Sequence, residues 1–113
     1  MAKRALILHP AYESLAGFSN SAACLGHVLQ SRGFELELCE GPHATRAGIL
    51  QAYDKLIAYA RPEDAIVIYY VGHGGITTNQ MYTPDADLPR YIQHICPTDF
   101  GQTTDDATIV FLP

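Results

Sequence analysis

The 113-residue chain has only seven lysines and arginines against twelve aspartates and glutamates, and its basic residues form no cluster. A protein without a cationic patch has nothing to track a phosphate backbone, so nucleic acid is excluded as an expected partner. Long apolar runs are missing too. Lys3 and Arg4 precede just four apolar residues before His9 and Pro10. That is too few for the core of a secretory signal and far too few to cross a bilayer. Cysteine is scarce: Cys24, Cys39 and Cys96 stand far apart with no CxxC pair, so no disulfide framework is built in. Such usage suits a reducing compartment, and the expectation is a cytoplasmic protein with no membrane partner. There is also no internal repeat, low-complexity tract or linker, which leaves a single domain over residues 1–113.

What the chain does contain is a β-α-β-α-β pattern. Residues 5–8 (ALIL) form a short continuous apolar run, followed by a loop over 9–19 with Pro10 and Gly17. Asn20 or Ser21 can cap a helix carrying Ala22, Leu25, Val28 and Leu29 at helical spacing, closed by Gly33. Phe34, Leu36 and Leu38 then alternate with glutamates, the mark of an edge strand buried on one face. Thr45 opens a second helix in which Ile49, Leu50, Tyr53, Leu56 and Ile57 recur, ended by Pro62. A third strand starts at Ala65. Short connections in this order give a parallel sheet in strand order 2-1-3 with helices on both faces, an α/β three-layer fold. Residues 76–90 read as a long exposed loop, and only 91–95 and 108–112 look strand-like after it. The apolar far edge of the third strand is then left open, so the sheet looks unfinished.

The chemistry concentrates in residues 65–75 (AIVIYYVGHGG), where a run read as a strand buried on both faces stops at a histidine between glycines. His73 therefore falls at a strand's carboxyl end, where ligands and reacting groups collect in open α/β sheets. His9 closes the first strand at the same edge, either lining the crevice or merely terminating the strand. His27 and His43 read as solvated, Tyr69 and Tyr70 as core, and Cys24 and Cys39 as small buried thiols. His94 and Cys96 are two metal-ligand types without a second pair, and no metal site is expected from them.

ALILHPAYESLAG, the helix ending in RGF, ATRAGILQAYDKLIAYARPEDAIVIYYVGHGG and ICPTDF resemble the first half of the caspase and metacaspase superfamily of cysteine peptidases, over residues 3–104. The resemblance implies a partial caspase-like fold and peptide-bond hydrolysis by a Cys-His dyad. It makes His73 the base and the N–H of Gly74 an oxyanion donor, and it puts His9, Val71 and Asp99 beside the substrate. Val71 stands where the family commonly has a serine, and Asn20-Ser21 where metacaspases have an Asn-Asp pair. The nucleophilic cysteine of the family ends a fourth strand, and the chain is expected to stop before it. Cys96 lies in a loop the family keeps near the active site, but not in the nucleophile's place.

The expected partner is a peptide or protein substrate, with the complementary half of the domain or a homo- or heterodimer partner beside it. No cofactor is implied. Calcium, used by some metacaspases, could concern Asp99 or the Asp105/Asp106 pair, although solvated loop carboxylates explain those residues as well. Two other readings stay open. One is an inactive pseudo-peptidase that binds a peptide or a partner along the third strand's edge. The other is a small module holding an anion at the GHGG turn, which no phosphate-loop lysine supports.

Overall fold

The computed structural model describes residues 1–10, 16–101 and 110–111. Three strands, β1 (Lys3–His9), β2 (Glu35–Glu40) and β3 (Ala65–Tyr70), form a parallel sheet in the order β2-β1-β3. Its order is the expected one. Arg4 to His9 pair with Glu35 to Glu40, and Lys3 to Leu8 pair with Ala65 to Tyr70.

Helix α1 (Ala16–Ser31) covers one face and α2 (Arg46–Ala58) the other. The alternation of β1 decides which residue meets which helix. Ala5 and Ile7 pack with Ala22 and Leu29 of α1, while Leu6 and Leu8 pack with Ile49, Ala52 and Leu56 of α2. Leu6, Ile7 and Leu8 are almost wholly buried, and each contributes roughly 1.5–3 kcal/mol by leaving water. β1 is thus the spine of the domain.

Local chemistry explains where the helices stop and start. Gly33 takes a φ of 86°, and the N–H groups of Gly33 and Phe34 close the last turn of α1 on the carbonyls of Gln30 and Leu29. At the front of α2, the Thr45 hydroxyl accepts from the N–H of Gly48 at 3.1 Å.

Several expectations need correction. α1 begins at Ala16, inside the segment read as a loop; residues 11–15 of that loop lie outside the described residues. β3 is half-buried rather than enclosed, and Ile68 is 42% exposed, because among the described residues no strand lies on its far side. On α2 the buried stripe is Ile49, Ala52 and Leu56, while Tyr53 and Ile57 face solvent. Cys24 is exposed on α1, whereas Cys39 and Cys96 are buried. His27 and His43 are exposed, and Tyr69 and Tyr70 pack against the two cores as read.

The largest correction concerns residues after 73. Part of the expected loop is a strand, β4 (Gly74–Thr78), which pairs antiparallel with β5 (Tyr91–Ile95), and β5 pairs in turn with β6 (Val110–Phe111). The β-branched Ile76, Thr77 and Thr78 favour that conformation, and the strand starts at the two glycines themselves. Of the expected strand 108–112, only Val110 and Phe111 are described; Asp105 and Asp106 lie outside the described residues. No helix among the described residues is long and apolar enough to cross a membrane.

Candidate active site

The carboxyl ends of β1 and β3 bring His9, Val71, His73 and Gly74 to one edge of the parallel sheet. Immediately beyond β3, the N–H of Val71 donates to the carbonyl of Leu8 at 3.0 Å, and the Val71 side chain packs into the core beneath α1. The carbonyl of Val71 lies 3.4 Å from Nδ1 of His9, whose Nε2 is 3.1 Å from the hydroxyl of Ser19. A carbonyl only accepts, so in this contact Nδ1 is the donor, and Nε2 is left facing the Ser19 hydroxyl. Buried His9 thereby ties β1, the end of β3 and α1 together.

His73 is exposed, in the two-residue link between that anchored point and β4. Its carbonyl accepts the N–H of Cys96 at 3.0 Å. The β4–β5 register pairs Gly74 with Ile95, so His73 and Cys96 stand directly opposite each other in a hydrogen-bonded pair. The same register has a second bonded pair at its far end, where the N–H of Asn79 donates to the carbonyl of Arg90 at 2.9 Å. Bonded and non-bonded pairs alternate along an antiparallel ladder, so Gly74 is at a non-bonded position. Its N–H and C=O therefore point away from β5, on the side of β4 where no strand lies among the described residues.

Gly75, one residue on, is enclosed. A Cβ built there would lie 2.6 Å from Nε2 of His94, directly opposite on β5. The His94 ring is buried, with Nδ1 3.1 Å from the carbonyl of Ile95 and 4.0 Å from the Cys96 thiol. Burial raises the Cys96 thiol above its ordinary pKa; burial, with help from Glu37, does the same to Cys39. Neither is a thiolate by environment.

Asp99 lies at the entrance of α2. Its carboxylate accepts from the N–H of Arg46 at 3.0 Å, at the start of α2, and the neighbouring Thr98 hydroxyl donates to the carbonyl of Gly41 at 2.6 Å. The CPTDF segment is thus pinned to the α2 entrance. Among the described residues no group of three or more His, Cys, Asp or Glu side chains converges as a metal ion would need. A concavity of about 640 Å³ lies at the other end of the sheet between Arg4, Glu35, Lys55 and Tyr59. It is remote from His73, and its charges are of both signs, with Lys55 3.7 Å from Glu37.

Two groups of this site escape sequence reasoning: the His94 ring against Gly75, and the Tyr70 hydroxyl beside His73 and Cys96. The run Ile76-Thr77-Thr78 was the available signal, since a strand there would have placed His94 opposite Gly75.

The α/β sheet thus carries an exposed histidine and an outward-turned glycine amide at its carboxyl edge, and comparison with known proteins shows which family has this chain. The family model for the metacaspase, peptidase C14 domain matches residues 3–110, nearly the whole chain. The chain belongs to that family of caspase-like cysteine peptidases. Segments of it are similar to Metacaspase-1 of Meyerozyma guilliermondii (41% identical over 59 residues, 51% of this chain) and to Metacaspase-1A of Neurospora crassa (38% over 65 residues, 55% of this chain). Metacaspase-1 of Coccidioides immitis is 40% identical over 68 residues, again 55% of this chain. These matches span only 13% to 14% of each relative's length. No solved structure matches.

Proposed function

We propose that this chain supplies the base and the oxyanion donor of a caspase-like cysteine endopeptidase, with His73 as the base and the Gly74 N–H as the donor. The nucleophile is a cysteine outside the residues described. The carrying observation is the alternation of β4–β5, which turns the Gly74 amide off the ladder one residue beyond an exposed imidazole. In this reading His73 takes the proton of the thiol. The thiolate attacks the scissile carbonyl carbon, and the electron pair displaced onto oxygen is met by the Gly74 N–H. The imidazolium then protonates the departing amine. Water, deprotonated by His73, releases the acid and restores the thiol. A single well-aimed oxyanion amide contributes a factor of about 10²–10³. His9 and Val71 serve the substrate side indirectly, by fixing the backbone that leads into the turn, and the substrate is a peptide or protein.

The environments of the known thiols support an external nucleophile. Cys39 and Cys96 are buried with raised pKa values, and Cys24 is exposed on α1. The test is peptide cleavage by the native polypeptide that contains residues 3–110, together with labelling by a peptidyl electrophile located by mass spectrometry. His73→Ala is expected to abolish turnover, and the label is expected on a cysteine other than Cys24, Cys39 and Cys96. A label on Cys96, with activity lost in Cys96→Ala, would refute the assignment.

One observation favours a second reading, a non-catalytic module that pairs with a partner strand: the outer edge of β3 carries exposed Ile68 and meets no strand among the described residues. A native polypeptide that binds the peptidyl electrophile's parent peptide but neither cleaves it nor becomes labelled would select it.

A further inference from the structure

His73 stands on a turn flanked by Gly72 and Gly74, so little side-chain bulk on either side can orient it. What holds its backbone comes from β3. Alternation sends Tyr69 to the α1 face and Tyr70 to the α2 face, where the Tyr70 ring lies against the core built around Leu8 and Ile95. The ring carries its hydroxyl to the point where the parallel sheet passes into the antiparallel one. There the hydroxyl donates to the carbonyl of His73, accepts from the N–H of Cys96 at 3.3 Å, and has the Cys96 carbonyl at the same distance. The N–H of Cys96 is shared between this hydroxyl and the His73 carbonyl. One phenol therefore clamps both members of the first bonded pair of β4–β5.

That pair sets two directions at once. Rotation of the His73 peptide would swing the imidazole, and would also turn the Gly74 N–H, because the same peptide unit joins His73 C=O to Gly74 N–H. We propose that Tyr70 is a positioning residue of the active site, its hydroxyl locking the His73–Gly74 peptide so that the imidazole and the oxyanion amide face one point. This rests on the roles given above to His73 and Gly74. A phenylalanine would keep the packing of the ring and lose the clamp. Tyr69, the same residue type on the opposite face, is the matched control.

The experiment uses the native polypeptide with Tyr70→Phe and Tyr69→Phe. Tyr70→Phe is expected to lower kcat about tenfold to a hundredfold with KM within a factor of two, since misplacing reacting groups by about 1 Å has effects of that size. It should also speed hydrogen exchange at the Cys96 amide and shift the His73 ring resonances in NMR spectra. Tyr69→Phe should leave all of these unchanged. Replacing Tyr70 by para-aminophenylalanine, which retains a donor, should recover most of kcat. Wild-type kcat and His73 resonances in Tyr70→Phe, equal losses in Tyr69→Phe, or a Tyr70→Phe chain that fails to fold would each overturn the proposal. If His73→Ala is fully active, the peptidase roles fall instead, and the exchange and resonance measurements still decide whether Tyr70 clamps the turn.

Discussion

The imidazole of His94 lies so close over Gly75 that a single added methyl group would sit 2.6 Å from Nε2 and 2.7 Å from Cε1. The two residues face each other across β4–β5, and the ring is buried, so it has little room to withdraw. The second glycine of GHGG is therefore demanded by packing. Gly75→Ala is expected to cost about 1–3 kcal/mol by forcing the ring and β5 apart. Chemical denaturation of Gly75→Ala and of the double variant Gly75→Ala/His94→Ala checks this: removing the ring should return part of the loss. Equal stability of wild type and Gly75→Ala would contradict the geometry.

Gly74 is expected to behave differently. A Cβ there meets nothing nearer than the His94 carbonyl at 3.4 Å, and alanine keeps the N–H. Gly74→Ala should leave both the fold and turnover close to wild type. Gly74→Pro removes the N–H from a non-bonded edge position, where proline breaks no ladder bond. The proline variant should retain its melting temperature within a few degrees while turnover falls about 10²–10³-fold. Full activity in Gly74→Pro would remove this amide from the oxyanion hole.

The three parallel strands were legible because each has a pattern of its own: ALIL buried on two faces, FELEL alternating at an edge, AIVIYY continuous and apolar. His73 was legible for the same reason, as the first polar side chain after that third run. β4 was not. Two glycines at its start, and Pro84 and Pro89 after it, outweighed three β-branched residues, and what makes the segment a strand is β5, whose pairing is a tertiary fact. The Tyr70 clamp was illegible in the same way, since it joins residues 26 positions apart. Exposure also misled: Val28, Tyr53 and Ile57 belong to the apolar helix stripes read in the sequence, yet all three are exposed.

Thiol reactivity should follow burial. Cys24 is exposed, while burial raises the pKa of Cys39 and Cys96 and so depletes the thiolate that reacts. Iodoacetamide at pH 8 is expected to modify Cys24 first, with Cys39 and Cys96 reacting only when denaturant opens the core. Peptide mass spectrometry of a time course checks the order. Early modification of Cys96 would mean that its thiol reaches solvent.

Asp99 is expected to act on stability. Its carboxylate accepts the Arg46 N–H at the positive end of α2, next to the Thr45 cap. Asp99→Ala should cost about 0.5–2 kcal/mol and leave the residue preference at the cleaved bond unchanged. An altered preference with an unaltered melting temperature would return Asp99 to the substrate wall suggested by the family resemblance.

Asp64 offers a test of the fold's pH dependence. Its two oxygens accept the N–H of Ala2 at 2.8 Å and of Arg61 at 3.0 Å, tying the start of β1 to the turn before β3. These bonds, Ala2's first, hold the carboxyl below its ordinary value of 3.8. The unfolded chain therefore binds this proton more readily than the folded one, and the group's contribution grows as pH rises. It is complete above the ordinary value and is lost as pH falls through the lower folded one. Asp64→Asn keeps the shape and removes the charge. Urea midpoints of wild type and Asp64→Asn should differ by a constant amount between about pH 5 and 7 and converge below about pH 4. A gap that persists undiminished to about pH 2 would show that the carboxylate's charge is not what these two amides recognise.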